Sequence, residues 1–226
     1  MDKYLSEFNL DSYKISQFKK YYDYLIEENK KINLTTITDE KEAYIKHFYD
    51  SLIVSKFAHL SKSSLCDIGS GAGFPGIPLK IMNPEMELTI IEPTLKRVNF
   101  LERVVNLLGL EKVRIINARA EDEIINHREE FDYVCARAVS NLPMLLELCI
   151  PYVKVGGEFI SLKGASYLEE LDEAKSAIKK LNVSFEASEY ELIEGMGKRG
   201  IIEFKKLGKT NPIYPRKYAV IKKKPL

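Results

Sequence analysis

The stretch CDIGSGAGFPGIP, residues 66–78, gathers Gly69, Gly71, Gly73 and Gly76 in a chain that has only 12 glycines. Its apolar approach, SLCDI, reads as a β-strand and GIPLKIM behind it as a helix, so the glycines fall in the turn between them. Glycine there permits a tight turn and lets backbone N–H groups approach a ligand that a Cβ would push away.

Downstream the same rhythm repeats. ELTIIE, KVRIINA, EFDYVCARA and GGEFISLKG read as strands; TLKRVNFLERVVNLLGL, NLPMLLELCIPYV and YLEELDEAKSAIKKL read as helices, the first ending at Gly109. Strand and helix in alternation predict an α/β fold with a parallel sheet and crossover helices on both faces. SFEASEYELI and RGIIEFKKL follow without a helix between them and predict an antiparallel hairpin at the sheet edge, making about seven strands in all.

Upstream the pattern is helical. From Asp11, the residues Ile15, Phe18, Tyr22, Leu25, Ile26 and Ile32 follow helical spacing, with Lys19, Lys20, Glu27 and Glu28 on the other face. A second helix starts at Asp39, with Glu42 at capping-box distance, and turns Ile45, Phe48 and Leu52 inward. Residues 1–60 therefore read as a helical cap region and 61–226 as the sheet domain.

A composition of 45% hydrophobic and 30% charged residues is that of a soluble globular chain able to bury its own core. No apolar run approaches the roughly 20 residues of a membrane helix, and the first residues lack a signal-peptide core, so a cytoplasmic protein with no membrane partner is expected. Cys66, Cys135 and Cys149 have no CxxC spacing and read as small buried hydrophobes. His47, His59 and His127 show no metal-ligand spacing, so no metal is expected. The net charge of +1 hides a basic end: from Gly195 onward Glu203 is the single acid, against Arg199, Arg216, Lys217, Lys222, Lys223, Lys224 and four more lysines. Such a patch can neutralise phosphates of a polyanion, or serve only as a solvated tail.

The ligand follows from the glycine register. A dinucleotide fingerprint wants GxGxxG, but Phe74 stands at the third glycine position and no GK[ST] closes a P-loop. Asp67, two residues before the first glycine, would repel a pyrophosphate and could accept hydrogen bonds from a cationic amino-acid group. Glu92 ends the second strand, where a carboxylate can accept both ribose hydroxyls. A cationic adenosine compound without phosphate fits best, and S-adenosylmethionine is one. Ala120 and Glu121 follow the third strand, where they can border an adenine ring. Arg137 and Asn141 follow the fourth, where a methyl acceptor would lie.

DIGSGAGFPGIPLKI, EPTLKRVNFLERV, FDYVCARAVSNLP, LKG, NLTTI and HFYDSL together resemble the glucose-inhibited division protein B family, also called RsmG. The resemblance implies a class I (Rossmann-like) S-adenosylmethionine-dependent methyltransferase with an N-terminal helical extension. It further implies methyl transfer to N7 of a guanine in 16S ribosomal RNA, as naked RNA or in the 30S subunit. It also implies cofactor contacts by Gly69, Phe74, Ala120 with Glu121, and Arg137, beside an N-terminal motif of Asn33, His47, Asp50 and Ser51. Glu92-Pro93 stands where many relatives carry aspartate and another residue.

The expected site is thus Arg137, His47 and Asn141 around the acceptor, with Asp67, Gly69, Gly71, Gly73, Phe74, Glu92, Ala120 and Glu121 around the cofactor. Arg199, Arg216, Lys217 and Lys222 to Lys224 face RNA, and the chain acts as a monomer. Guanine N7 has a lone pair and no hydrogen, so no general base is needed, and Arg137 is expected to position rather than stabilise charge. Rival readings are a methyltransferase for another RNA, a small molecule or a protein, a non-catalytic RNA-binding assembly factor, and an NAD-linked oxidoreductase. Saturable binding of S-adenosylmethionine separates an enzyme from an inert assembly factor.

Overall fold

The computed structural model describes residues 2–226. The N-terminal region holds α1 (Asp2–Leu5), α2 (Ser12–Ile32), α3 (Glu40–Ala43) and α4 (Asp50–Leu52), with a π-helical stretch over Tyr44–Tyr49. Strands and helices then alternate: β1 (Ser64–Ile68), α5 (Gly76–Met82), β2 (Glu87–Ile91), α6 (Leu95–Leu108), β3 (Val113–Ile116), α7 (Ala120–His127), β4 (Phe131–Arg137), α8 (Leu142–Cys149) and β5 (Val153–Lys163). The chain continues through α9 (Tyr167–Glu173), α10 (Lys175–Leu181), the hairpin β6 (Val183–Glu191) and β7 (Lys198–Lys206), and α11 (Tyr218–Lys223).

The sheet has seven strands in the order β3-β2-β1-β4-β5-β7-β6. All pairings are parallel except those of β7 with β5 and β6. Strand order reverses between β1 and β4, and the crevice beyond their carboxyl ends is where an open α/β sheet takes its ligand. The glycine turn follows β1 and Arg137 ends β4, so both stand at this switch point.

Two apolar clusters cover the two faces. Alternate residues of one strand face opposite ways: Leu65, Cys135 and Ile160 pack with the N-terminal helices and α6, whereas Cys66, Val134, Ala136 and Phe159 pack with α8 and its neighbours. The three cysteines are free and buried. Because Phe18, Tyr21 and Phe48 share a cluster with Ile77 and Leu101, the N-terminal helices are fixed to the sheet by the core itself. Among the described residues no helix is long and apolar enough to cross a membrane.

Two local readings need correction. On α2 the buried stripe is Phe18, Tyr21 and Leu25, not Tyr22 and Ile26, and Glu28 is buried too, held by Lys31 at 2.6 Å and Arg103 at 3.5 Å. Tyr21 turns its ring into the core with its hydroxyl on the Ala72 carbonyl, while Tyr22 places its hydroxyl on the Thr38 carbonyl at the surface. The helix expected from Tyr167 to Leu181 is two, breaking at Ala174. The basic end contains the short α11, anchored by buried Ile221.

Candidate active site

Gly69, Gly71 and Gly73 adopt positive φ of 71°, 63° and 100°, the left-handed region that side chains disfavour. They differ in what a Cβ would meet. At Gly71 it would meet nothing within 4 Å, whereas at Gly73 it would strike the Tyr21 hydroxyl and Ile77. Gly76 starts α5 against Asp67, where a Cβ would come within 2.7 Å of Oδ2.

Two carboxylates tie the turn down. Glu92 accepts the Gly71 N–H on Oε2 and the Thr94 N–H on Oε1, each at 3.0 Å. Asp67 was expected to look into the crevice. It is instead fully buried beneath the turn, its Oδ2 accepting from Ser70 Oγ at 2.5 Å and from the Gly76 N–H at 2.8 Å. Its Oδ1 has no hydrogen-bond partner among the described residues. Burial pushes the Asp67 carboxyl up to about 6, against the opposing pull of the Ser70 and Gly76 bonds.

Phe74, expected to touch the cofactor, is buried with its ring between Tyr21 at 5.5 Å and His47 at 4.5 Å, under the Arg137 guanidinium at 5.0 Å. The Tyr21 hydroxyl donates to the Ala72 carbonyl, so α2 grips the turn from its far side. This Tyr21 contact was not anticipated. Ala120 opens α7 at the end of β3 with its carbonyl taken by the Tyr152 hydroxyl at 2.6 Å, and Glu121 beside it lies 4.0 Å from Arg119.

On the other side of the switch point, Arg137 Nη1 donates to Asp50 Oδ2 at 3.0 Å and to the Lys46 carbonyl at 3.1 Å. Its Nη2 meets His47 Nδ1 at 3.3 Å. Guanidinium nitrogens only donate, so Nδ1 accepts and the His47 proton is assigned to Nε2, which donates to Thr35 Oγ1 at 2.8 Å. Burial, reinforced by the Arg137 charge, lowers the His47 pKa to about 3 and keeps the ring neutral. His47 lies in the π-helical stretch and Asp50 follows it, so the i and i+3 pair reaches one guanidinium. Ser51 binds back to the His47 carbonyl at 2.5 Å, and Asn33 ends α2 in a left-handed conformation.

Here a cavity of about 610 Å³ opens between the N-terminal region and the ends of β4 and β5, walled by His47, Asp50, Arg137, Ser140, Lys163 and Arg199 among others. Val139, on the loop after β4, leans over the glycine turn, its Cγ2 2.8 Å from where a Cβ on Gly69 would lie. Asn141 does not line this cavity. It caps α8 by accepting the Met144 N–H at 3.3 Å, a local duty that its place before Leu-Pro already favours. Buried Lys163 joins the Ser140 carbonyl at 2.9 Å to Glu170 at 2.8 Å, and Glu170 also accepts the Leu142 N–H at 3.0 Å. That pair fixes both ends of the loop and had no signal beyond the LKG string.

The basic end divides. Arg216, expected to face RNA, binds Glu147 through Nε at 2.7 Å and Nη2 at 2.6 Å. Glu147 is fully buried, and such a carboxylate needs that partner, so Arg216 is structural. Arg199 sits in the cavity wall, while Lys217, Lys222, Lys223 and Lys224 are exposed.

Solved structures share this architecture. A SAM-dependent methyltransferase from Aquifex aeolicus superposes with a TM-score of 0.58 at 18% identity, covering 79% of this chain and 97% of that one. The M. jannaschii protein TYW2, solved in complex with AdoMet, gives a TM-score of 0.58 at 15% identity, covering 75% and 77%. The fold is that of the class I methyltransferases. The profile of GidB, described as rRNA small subunit methyltransferase G, matches residues 14–194, and the chain belongs to that family. Curated relatives named "Ribosomal RNA small subunit methyltransferase G" include one from Exiguobacterium sp., 44% identical over 97% of this chain and 94% of its own length. Another, from Staphylococcus epidermidis, is 49% identical over 93% of this chain and 89% of its own length.

Proposed function

We propose that this chain methylates N7 of a guanine in 16S ribosomal RNA, as naked RNA or in the 30S subunit, with S-adenosylmethionine as donor, acting as a monomer in the cytoplasm. The observation that carries the reading is the switch point itself, where an open glycine turn and a cavity of about 610 Å³ share the loop after β4 in a chain of the GidB family.

The residues present fit the donor. Gly71 leaves room above its Cα, Glu92 just after β2 has both oxygens set by backbone amides, and Asp67 braces the turn from beneath through Ser70 and Gly76. Gly69, Gly71 and Glu92 would hold it, with Ala120 and Glu121 at the far end, while Asp67 and Gly73 set the turn from beneath. When bound, it supplies an electrophilic methyl group on a cationic sulfur.

The protein's task is then placement. N7 attacks with its own lone pair and no proton leaves the ring, so no residue has to act as base. His47 is neutral with both nitrogens engaged, and Asp50 is already paired with Arg137. Arg137 is locked by three partners, which suits it to hold a purine edge or neighbouring phosphate in one orientation. Alignment of this kind supplies about 7–11 kcal/mol in favourable cases.

The test is to incubate the protein with labelled cofactor and 30S subunits or naked 16S RNA from cells lacking it, then map the modified base. Label at N7 of a single guanine is expected. Transfer to another atom, or none to any ribosomal RNA despite saturable cofactor binding, rejects the reading.

A further inference from the structure

Tyr190 of β6 and Arg199 of β7 are direct register partners, so their side chains leave the hairpin on the same face. Both converge on Asp50. The Tyr190 hydroxyl donates to Oδ1 at 2.8 Å, and Arg199 Nε lies 3.5 Å from the same oxygen, while Oδ2 is taken by Arg137. One buried carboxylate thus joins the N-terminal region, the end of β4 and the edge hairpin.

The three donors differ in what they have left. The Tyr190 phenol is mostly buried beside that carboxylate, and burial first, then the Asp50 charge, pushes its pKa up, so it stays an O–H donor. Arg137 has three of its five N–H donors committed to the protein. Arg199 gives Nη1 to the Lys198 carbonyl at 3.1 Å, and among the described residues its Nη2 has no protein hydrogen-bond partner. Its side chain is 26% exposed and lines the cavity. Two guanidiniums face one carboxylate, leaving positive charge at the cavity wall. A planar guanidinium with a free nitrogen suits a phosphate oxygen.

We propose that Tyr190 is a positioning residue for RNA: its hydroxyl fixes Asp50, and Asp50 in turn aims Arg199 across the cavity opening at a phosphate of the strand carrying the acceptor base. The inference rests on RNA being the substrate. Without the hydroxyl, Oδ1 is free to close on Arg199 as a tight pair, which draws the guanidinium down and cancels its charge. Loss of an uncharged group therefore weakens binding of a polyanion.

The experiment compares wild type, Tyr190→Phe, Arg199→Gln and the double variant in methyl transfer to 30S subunits across a salt series, with cofactor affinity and Tm measured alongside. Tyr190→Phe is expected to raise the KM for RNA about fivefold to tenfold, with kcat and cofactor affinity unchanged. Arg199→Gln should raise KM as well and reduce the salt slope by about one. In the Arg199→Gln background the Phe substitution should add nothing, because Tyr190 acts through Arg199. An unchanged KM in Tyr190→Phe overturns the proposal, whatever its Tm, as does an equal effect in both backgrounds. Should wild type bind cofactor yet methylate no RNA, the substrate reading fails and this one falls with it.

Discussion

The two sides of the switch point are built from different material. The side toward β2 is one continuous run from Asp67 to Glu92, and its shape is set by backbone: three left-handed glycines, amide hydrogens, and two carboxylates bound to them. The side toward β5 is assembled from side chains of four distant segments, His47 and Asp50, Arg137, Lys163 with Glu170, and Tyr190 with Arg199. A backbone-built site is written in local residue order. A side-chain-built site exists only once the sheet brings its pieces together.

The sharpest way to break this comparison lies within the glycine turn. Gly71 and Gly73 share the left-handed conformation, yet one faces open space and the other Tyr21. Gly71→Val should abolish cofactor binding, a loss of about a thousandfold or about 4 kcal/mol, in a protein that still folds. Both variants carry the strain of a Cβ at positive φ, but Gly73→Ala adds overpacking against Tyr21 and Ile77 and should lower stability by about 3 kcal/mol while sparing cofactor binding. Calorimetric titration and urea unfolding of both variants decide the matter. Equal cofactor loss at equal stability would mean that the turn is not divided into a ligand face and a core face.

Across the switch point, Arg137→Gln should reduce kcat about a hundredfold by releasing the acceptor orientation and cost about 2 kcal/mol of stability. The stability loss stays moderate because Asp50 keeps Tyr190 and Arg199 as partners. A variant with normal kcat in single-turnover methyl transfer would remove Arg137 from the reaction and leave it as a brace.

What was legible in the sequence follows the same division. The alternation of strands and helices, the edge hairpin and the glycine turn could be read because apolar runs and glycines act locally, and Glu92 stands just after β2 where its place in the pattern put it. Asn141 and Arg216 could not be told from ligand-binding residues because a polar residue near a crevice looks the same whether its partner is a ligand or the protein. Only the structure shows the Met144 amide and the buried Glu147. Tyr21 and Tyr190 were unreadable for a related reason: their hydroxyls act over separations of 51 and 140 residues.

The two sides also carry titratable groups of opposite behaviour. Asp67 has its pKa raised from 3.8 to about 6, so the native state holds that proton more firmly than the unfolded chain. Its contribution is present below pH 3.8 and lost as pH rises through about 6. His47 is lowered from 6.5 to about 3, so its contribution is present above pH 6.5 and lost as pH falls through about 3. In wild type the slopes largely offset each other. Asp67→Asn should therefore gain stability more steeply than wild type from pH 4 to 6, and His47→Gln less steeply, each by on the order of 2 kcal/mol. Urea unfolding at a series of pH values reads both, and parallel curves for all three proteins would show that neither group is shifted by burial.

The smallest effect is expected at the basic end of the chain. Lys222, Lys223 and Lys224 stand on and after α11 without carboxylate partners among the described residues, so their charge is free to meet phosphate. Each such contact releases counterions, and replacing all three lysines with glutamine should reduce the salt slope of RNA binding by up to about 2. At moderate salt this weakens binding only several-fold and leaves cofactor affinity and Tm unchanged, since no buried group loses a partner. Arg216 belongs outside this set, because its guanidinium is committed to Glu147 and its replacement would register in stability. A salt slope identical to that of wild type in the triple variant would confine RNA recognition to the cavity wall and make the terminal lysines a device for solubility alone.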